Sequence, residues 1–285
     1  LEKFLSKKLA IGLFLLIQTF IYFTLVITVF TTIRHIASEI LNFEIDHSRG
    51  WWRGDRAFYV YLLFIALSTI IFSFMRIVID KFGKRLFFKV LVGSYKKPKE
   101  EKRIFMFLDL KSSTAIAEKL GHFKYSQLIQ DCFYDLNEVI NRFDAEIYQY
   151  VGDEVVISWP YAKGLANNNC VDLFFSFDRL LKSKEPYYLD KYNINPQFKA
   201  GLHGGKLMVA EVGVVKKEIA YHGDVINTSS RIQAECNKYN VPILISEHLL
   251  NDINLGGKLK ESFLGNVFLK GKNSALNIYT LEPKL

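Results

Sequence analysis

Cysteine, methionine and proline are all scarce. The three cysteines, Cys132, Cys170 and Cys236, stand far apart with neither CxxC spacing nor an even count. That excludes a disulfide framework and a zinc knuckle, and fits a reducing compartment. Six prolines in 285 residues, with no internal repeat and no low-complexity tract, exclude collagen-like, solenoid and disordered chains. Acidic residues are outnumbered, 29 against 37 Lys and Arg, for a formal charge of +8. Spread over a soluble fold, that excess would point to nucleic acid, but these basic residues flank apolar runs and no nucleic-acid partner is expected.

What is abundant is apolar sequence, 50% of the chain, and it is concentrated early. Residues 9–30 carry no charge over 22 positions, enough at ~1.5 Å per residue to cross a hydrocarbon core of ~30 Å. A second uncharged run, 57–75, is closed by Arg56 and Arg76 and continues into Ile77, Val78 and Ile79. The first run is too long for a signal-peptide core and lacks a small-x-small cleavage site. Both are apolar on every side, which a buried helix of a soluble core need not be, so lipid is the solvent expected for them. Lys3, Lys7 and Lys8 precede the first run, and Lys81, Lys84, Arg85, Lys89, Lys96, Lys97 and Lys99 follow the second, whereas the loop between them mixes charges. Basic flanks are retained on the cytoplasmic side, so both termini are expected there. Since the chain begins at Leu1 and not Met, two spans are a lower bound, with an even number expected.

These signals predict a transmembrane region over 1–79, with spans at 9–30 and 57–79, a cytoplasmic linker over 80–102 and one folded domain over 103–285. The expected location is the cell inner (plasma) membrane, multi-pass, with the lipid bilayer as a partner. Within the domain, the apolar run 104–108 reads as a strand, and 125–143 has helical apolar spacing. Two β-rich runs, 146–150 and 155–159, flank Gly152-Asp153-Glu154, a hairpin signature. A helical stretch follows to about Lys182. Strands then recur at 198–202, 207–212, 218–221, 243–245 and 263–269, with a helix over 225–238. The pattern is α+β.

Asp109 ends the first strand and is followed by Leu110-Lys111-Ser112-Ser113-Thr114 before a helix. A carboxylate there can hold a hard cation while free helix N–H groups receive phosphate oxygens, although an ordinary N-cap would use the same residue types. Asp153 sits at the hairpin tip, where Gly152 permits a tight turn. Two such carboxylates could hold two Mg²⁺ ions ~3.5–4 Å apart, a device for displacement at phosphorus. Farther on, Asn227 and Arg231 are spaced i to i+4 and share a helix face, presenting one amide and one guanidinium together. Lys270 follows the last apolar strand as a point charge; alone it reads as a basic turn.

Together, Phe107-Leu108-Asp109-Leu110-Lys111-Ser112-Ser113-Thr114, Val151-Gly152-Asp153-Glu154, Gly201-Leu202-His203-Gly204-Gly205, the run from Gly223 through Asn227 to Arg231, and Lys270-Gly271-Lys272 resemble the class III nucleotidyl cyclases in order and spacing. The resemblance covers residues 95–283. It implies a ferredoxin-like class III cyclase catalytic domain, preceded here by transmembrane α-helices, that works as a head-to-tail homodimer with sites between subunits. It also implies that a nucleoside triphosphate, ATP by preference, becomes a 3′,5′-cyclic monophosphate and pyrophosphate. By the same resemblance, Asp109, Asp153 and the Leu110 carbonyl hold two Mg²⁺ ions, for which Mn²⁺ can substitute. Lys111, Ser112, Ser113, Thr114 and Lys270 bind phosphates, Asn227 orients the ribose, and Arg231 stabilises charge at the α-phosphate.

Two positions depart from the family pattern. Adenylate cyclases usually carry Lys, and Asp or Thr, where this chain has Gln149 and Ala220; guanylate cyclases usually carry Glu and Cys. Gln149 both donates and accepts, so it can face either purine, and Ala220 offers no hydrogen bond. Guanylate or dual specificity, and a nucleotide-binding sensor without turnover, are therefore the competing readings. A diguanylate cyclase reading of Val151-Gly152-Asp153-Glu154-Val155 lacks the first Gly and the Phe of that motif.

Overall fold

The computed structural model describes residues 11–41, 56–83, 87, 89, 91–215, 217–268 and 275–284. The chain divides into two compact units, Leu1–Val92 and Gly93–Leu285. In the first, helix α1 (Ile11–Leu41) and helix α2 (Arg56–Phe82) touch one another. They leave large apolar side chains such as Phe20, Ile40, Phe64 and Phe72 exposed. Among the described residues, Tyr59–Ile79 is the one helical segment long and apolar enough to cross a membrane, and little of it is buried; the apolar stretch Thr19–Val29 of α1 is shorter.

The second unit begins earlier than residue 103. Strand β1 spans Lys99–Leu110. Tyr95, buried ahead of it, accepts a hydrogen bond on its carbonyl from the Glu211 amide (2.9 Å) and donates its hydroxyl to Glu101 (2.7 Å). From β1 the chain runs through α3 (Ser113–Ile140), the hairpin β2 (Glu146–Val151) and β3 (Glu154–Pro160), α4 (Tyr161–Leu165), α5 (Asn169–Ser183), α6 (Glu185–Tyr192) and β4 (Phe198–Val212). It closes with β5 (Glu218–His222), α7 (Asp224–Tyr239), β6 (Ile243–Ser246), α8 (Glu247–Asn251), β7 (Leu259–Val267) and β8 (Leu276–Pro283).

β1 pairs antiparallel with β3 on one side and β4 on the other, giving the order β2-β3-β1-β4. With α3 and α5 as connections this is the βαββαβ ferredoxin-like arrangement. Beyond β4 the sheet continues β6-β8-β7, and β5 pairs with the far half of β4. The runs 198–202 and 207–212, expected as two strands, form one strand of 15 residues, and β8 has no counterpart among the expected strands. Strand alternation explains why residues 104–108 are wholly apolar. Ile104, Met106, Leu108 and Leu110 enter the main core with Leu128, Cys132 and Leu136 of α3 and Phe174 and Phe177 of α5. Their neighbours Arg103, Phe105 and Phe107 are buried as well, on the opposite face, and a strand covered on both faces has no polar alternation to show.

Candidate functional site

Register assembles the acidic end of the sheet. Asp109 stands opposite Glu154 of β3 on one side and opposite Lys199 of β4 on the other. Gly152 and Asp153 form the two-residue loop between Val151 and Glu154, which pair. Gly152 has φ 62° and Asp153 a negative φ, the glycine-first hairpin turn whose twist matches the strands. A Cβ on Gly152 would meet nothing within 4 Å, so conformation and not space demands glycine there.

The turn brings Asp153 to Asp109. Burial, together with the charge and hydrogen bond of Asp153, raises the Asp109 carboxyl above its ordinary range against the opposing pull of Lys199. Burial, then Asp109 and Asp153, push Glu154 up to about 7. Three carboxylates thus crowd around one ammonium. Asp109 and Asp153, both half-buried, are the hard oxygen donors a divalent cation takes, while among the described residues no three acidic, His or Cys side chains converge on one cation position, so Glu154 adds charge to the site and not a third ligand. Tyr125 of α3 lies alongside: its hydroxyl bonds Ser113 and feels both aspartates, and burial raises it.

Immediately after Asp109 the chain turns into α3. Leu110 is the last residue of β1, with its side chain in the core. The Lys111 amide donates to the Gln197 carbonyl (2.8 Å), so that amide is already used. Ser112 takes a left-handed conformation (φ 58°) and makes no side-chain cap bond, which sets aside the ordinary N-cap. The first intrahelical bond runs from Ile116 to the Ser112 carbonyl. The amides of Ser113, Thr114 and Ala115 thus lack an intrahelical acceptor and open toward the acidic end. Ser113 and Thr114, expected in a loop, belong to the first helical turn.

Helix α7 crosses the same face of the sheet. Val225, Thr228, Ser229, Ile232, Gln233 and Cys236 are its buried stripe. Gln233 reaches Asp109, donating from Nε2 to Oδ2 at 3.0 Å. Asn227 and Arg231 lie on the other side of the helix by its 3.6-residue period; Asn227 is exposed and Arg231 half-buried. One chain therefore collects Asp109, Asp153 and the α3 amides, and turns Asn227 and Arg231 away from them. Lys270 lies outside the described residues.

A bulge sets the direction of Gln149, one of the two residues expected to meet the base. Ile147 pairs with Ile157, but Gln149, not Tyr148, pairs with Val156, leaving Tyr148 as an extra residue in β2. Both Tyr148 and Gln149 consequently face the side of the sheet that carries Asp109. Ala220 pairs with Ala210. Its neighbour Tyr221 faces the Asp109 side, packing against Phe105 and Tyr148.

Three groups at this site were not singled out from sequence: Lys199, Gln233 and Glu154. Lys199 and Gln233 come from elements distant in sequence, and only the β1–β4 register and the seating of α7 make them neighbours of Asp109. Glu154 adjoins Asp153 and was legible as part of the hairpin motif, but not as a third half-buried carboxylate that feels the charge of Asp109.

Residues 95–283 match the family model described as the adenylate and guanylate cyclase catalytic domain. Adenylate cyclase 2 of Rhizobium meliloti (strain 1021) is 33% identical over 199 residues, which cover 70% of this chain and 55% of that protein. A receptor-type guanylate cyclase of Caenorhabditis elegans is 24% identical over 169 residues, 58% of this chain and 15% of its own length. The chain thus spans little more than half of the Rhizobium protein. Among solved structures, a bacterial light-regulated adenylyl cyclase superposes with TM-score 0.67 at 16% identity, covering 80% of this chain and 66% of that one. The guanylyl cyclase Cya2 gives 0.57 at 16% identity, covering 64% and 92%. At these identities the superpositions speak for the fold.

Proposed function

The chain belongs to the adenylate and guanylate cyclase family, and from that membership we propose that it is a membrane-anchored adenylate cyclase, making 3′,5′-cyclic AMP and pyrophosphate from ATP in a homodimer. The observation that carries this reading is the split of the site: Asp109 and Asp153 meet beside the start of α3, while Asn227 and Arg231 of the same chain face outward. A second copy related by two-fold symmetry would bring its Asn227 and Arg231 to the first copy's carboxylates, completing two equivalent sites.

In such a site the Ser113, Thr114 and Ala115 amides and the Lys111 ammonium receive phosphate oxygens. Asn227 orients the ribose. The 3′-oxygen then forms a bond to the α-phosphorus in line with the bond that breaks; pyrophosphate leaves with that electron pair and the hydroxyl proton passes to water. Arg231 places its charge where the α-phosphate becomes more negative, a contribution whose removal typically costs ~10²–10³ in turnover. Asp109, Asp153 and the Leu110 carbonyl would hold two Mg²⁺ ions, which supply charge to the triphosphate and acidify the ribose hydroxyl.

ATP is favoured because the relative at 33% identity is named an adenylate cyclase, while the guanylate cyclases match at 24% or below. Guanylate or dual specificity is the second reading, since the Gln149 amide serves either base and Ala220 supplies no contact. The membrane reading rests on the exposed apolar segment Tyr59–Ile79 and on α1, where Thr24, Thr28 and Thr32 return their hydroxyls to carbonyls four residues earlier, hiding those donors as lipid would require.

The test is product identity. The purified chain is incubated with ATP or GTP and Mg²⁺ or Mn²⁺, with Asp109→Ala and Asp153→Ala as controls. Cyclic AMP that disappears in both variants is the expected result. Cyclic GMP alone would overturn the substrate, and no cyclic product from either nucleotide would leave a nucleotide-binding sensor.

A further inference from the structure

Asp109 is held by this chain's own donors. Lys199 Nζ lies 3.1 Å from Asp109 Oδ2, and Gln233 Nε2 lies 3.0 Å from the same oxygen. The Lys199 ammonium is in turn anchored by Asn237 Oδ1 at 3.2 Å. The Lys199 side chain is only 12% exposed and that of Asp109 20%, so water screens the pair weakly. The position is built in at two levels: the β1–β4 ladder sets Lys199 directly across from Asp109, and α7 supplies both Gln233 and Asn237.

We propose that Lys199 is a resident counter-ion of Asp109, a positioning residue that keeps divalent cations from occupying the nucleotide-free site and so ties metal uptake to arrival of the nucleoside triphosphate. The inference rests on the cyclase reading above. With Asp109 and Asp153 ionised, Lys199 already offsets one of two negative charges. Two divalent cations added to that set would leave it three charges positive, with an ammonium in contact with a ligand oxygen. A triphosphate brings about four further negative charges and removes the excess. Gln233 does a different job: as a neutral donor on the same oxygen it fixes the carboxylate's orientation without repelling a cation. Oδ2 is thus taken by Lys199 and Gln233, and metal is expected at Oδ1.

The experiment reads binding, not turnover. The full chain, stripped of metal and nucleotide, is titrated with Mn²⁺ alone while free Mn²⁺ is followed by its electron paramagnetic resonance signal. Lys199→Met is expected to bind Mn²⁺ about tenfold more tightly than wild type, Lys199→Arg to behave as wild type, and Asp109→Asn to cancel the gain when combined with Lys199→Met. Lys199→Gln keeps a hydrogen-bond donor without charge; it should share the gain, and it serves if the methionine variant fails to fold. Unchanged or weaker Mn²⁺ binding in folded Lys199→Met or Lys199→Gln overturns the proposal, making Lys199 only a support for Asp109. That failure is separable from failure of the cyclase reading, which is decided by whether wild type makes a cyclic nucleotide.

Discussion

Tyr148 of β2 and Tyr221 of β5 meet edge to face, with ring centroids 4.8 Å apart, although three strands stand between theirs in the sheet. The sheet curls enough to bring its flanks together over Phe105 of β1, whose ring lies 5.2 Å from Tyr221 and 6.5 Å from Tyr148. Beneath them lies the Arg103 guanidinium, 5.2 Å from the Tyr221 ring, bonded to Ser158 and paired with Glu101 and Glu146. Gln149 and Ala220, the residues proposed to meet the base, are the immediate neighbours of these tyrosines in the chain. Replacing Tyr148 with Leu removes the aromatic contact, worth about 0.5–1.5 kcal/mol beyond its buried area, and loosens the spacing of β2 and β5. The expected outcome is a lower denaturation midpoint together with a raised KM for nucleotide at nearly unchanged kcat. A kcat loss as large as the KM change would mean the pair supports the reacting groups and not the base.

Gly201 lies where α7 crosses β4. A Cβ there would sit 2.2 Å from the Gln233 amide nitrogen and 2.5 Å from its Cα, both backbone atoms of the helix. Gly201→Ala must therefore lift the helix that carries Gln233, Asn227 and Arg231. The expected cost is about 3 kcal/mol, at the upper end for overpacked cores, readable as a shift of the urea midpoint at constant slope. A variant as stable as wild type would show that α7 is not pressed onto the strand.

If each site draws on two chains, defective subunits should complement one another. Asp109→Asn and Arg231→Ala chains are each expected to be inactive. Mixed in equal amounts they should recover about a quarter of wild-type activity, since half of randomly assorted dimers pair unlike chains and each such dimer has one intact site. No recovery at protein concentrations where wild type is dimeric would mean that Asp109 and Arg231 act within one chain, overturning the shared site.

Acid stability tests the packing of α6 on α3. Burial pushes the Asp131 carboxyl up, but hydrogen bonds from Lys191, Tyr192 and Tyr187 outweigh it and hold the group below its usual range. A carboxyl lowered on folding contributes stability that is complete above its unfolded value of about 3.9 and is lost as pH falls through the lower folded value. Wild type should therefore lose stability on acidification below about pH 4 more steeply than Asp131→Asn. Equal slopes in denaturant titrations between pH 5 and pH 2.5 would remove Asp131 from the account.

Local features of the domain could be read from sequence wherever one short stretch carries the whole cause. Residues 104–108 read as a strand because a strand buried on both faces must be apolar throughout. Gly152-Asp153 read as a turn because that backbone conformation needs glycine. Asn227 and Arg231 read as a pair because a helix places i and i+4 on one face. What sequence could not supply was register and curvature, which depend on contacts between segments tens of residues apart. The Tyr148 bulge decides which way Gln149 faces, a one-residue shift with no composition to announce it. The pairing of Asp109 with Lys199, and the seating of α7 on Gly201 that delivers Gln233, exist only once β1, β4 and α7 are packed. The sequence by itself determined which chemical groups the domain owns and the strands and helices whose local period is strong, such as 104–108 and 225–238, because those follow from side-chain type and spacing, whereas the last strand and the continuity of 198–212 came only with the sheet. The tertiary structure alone decided which groups share an environment, because the charge, burial and spacing that Asp109 experiences are set by its neighbours in space.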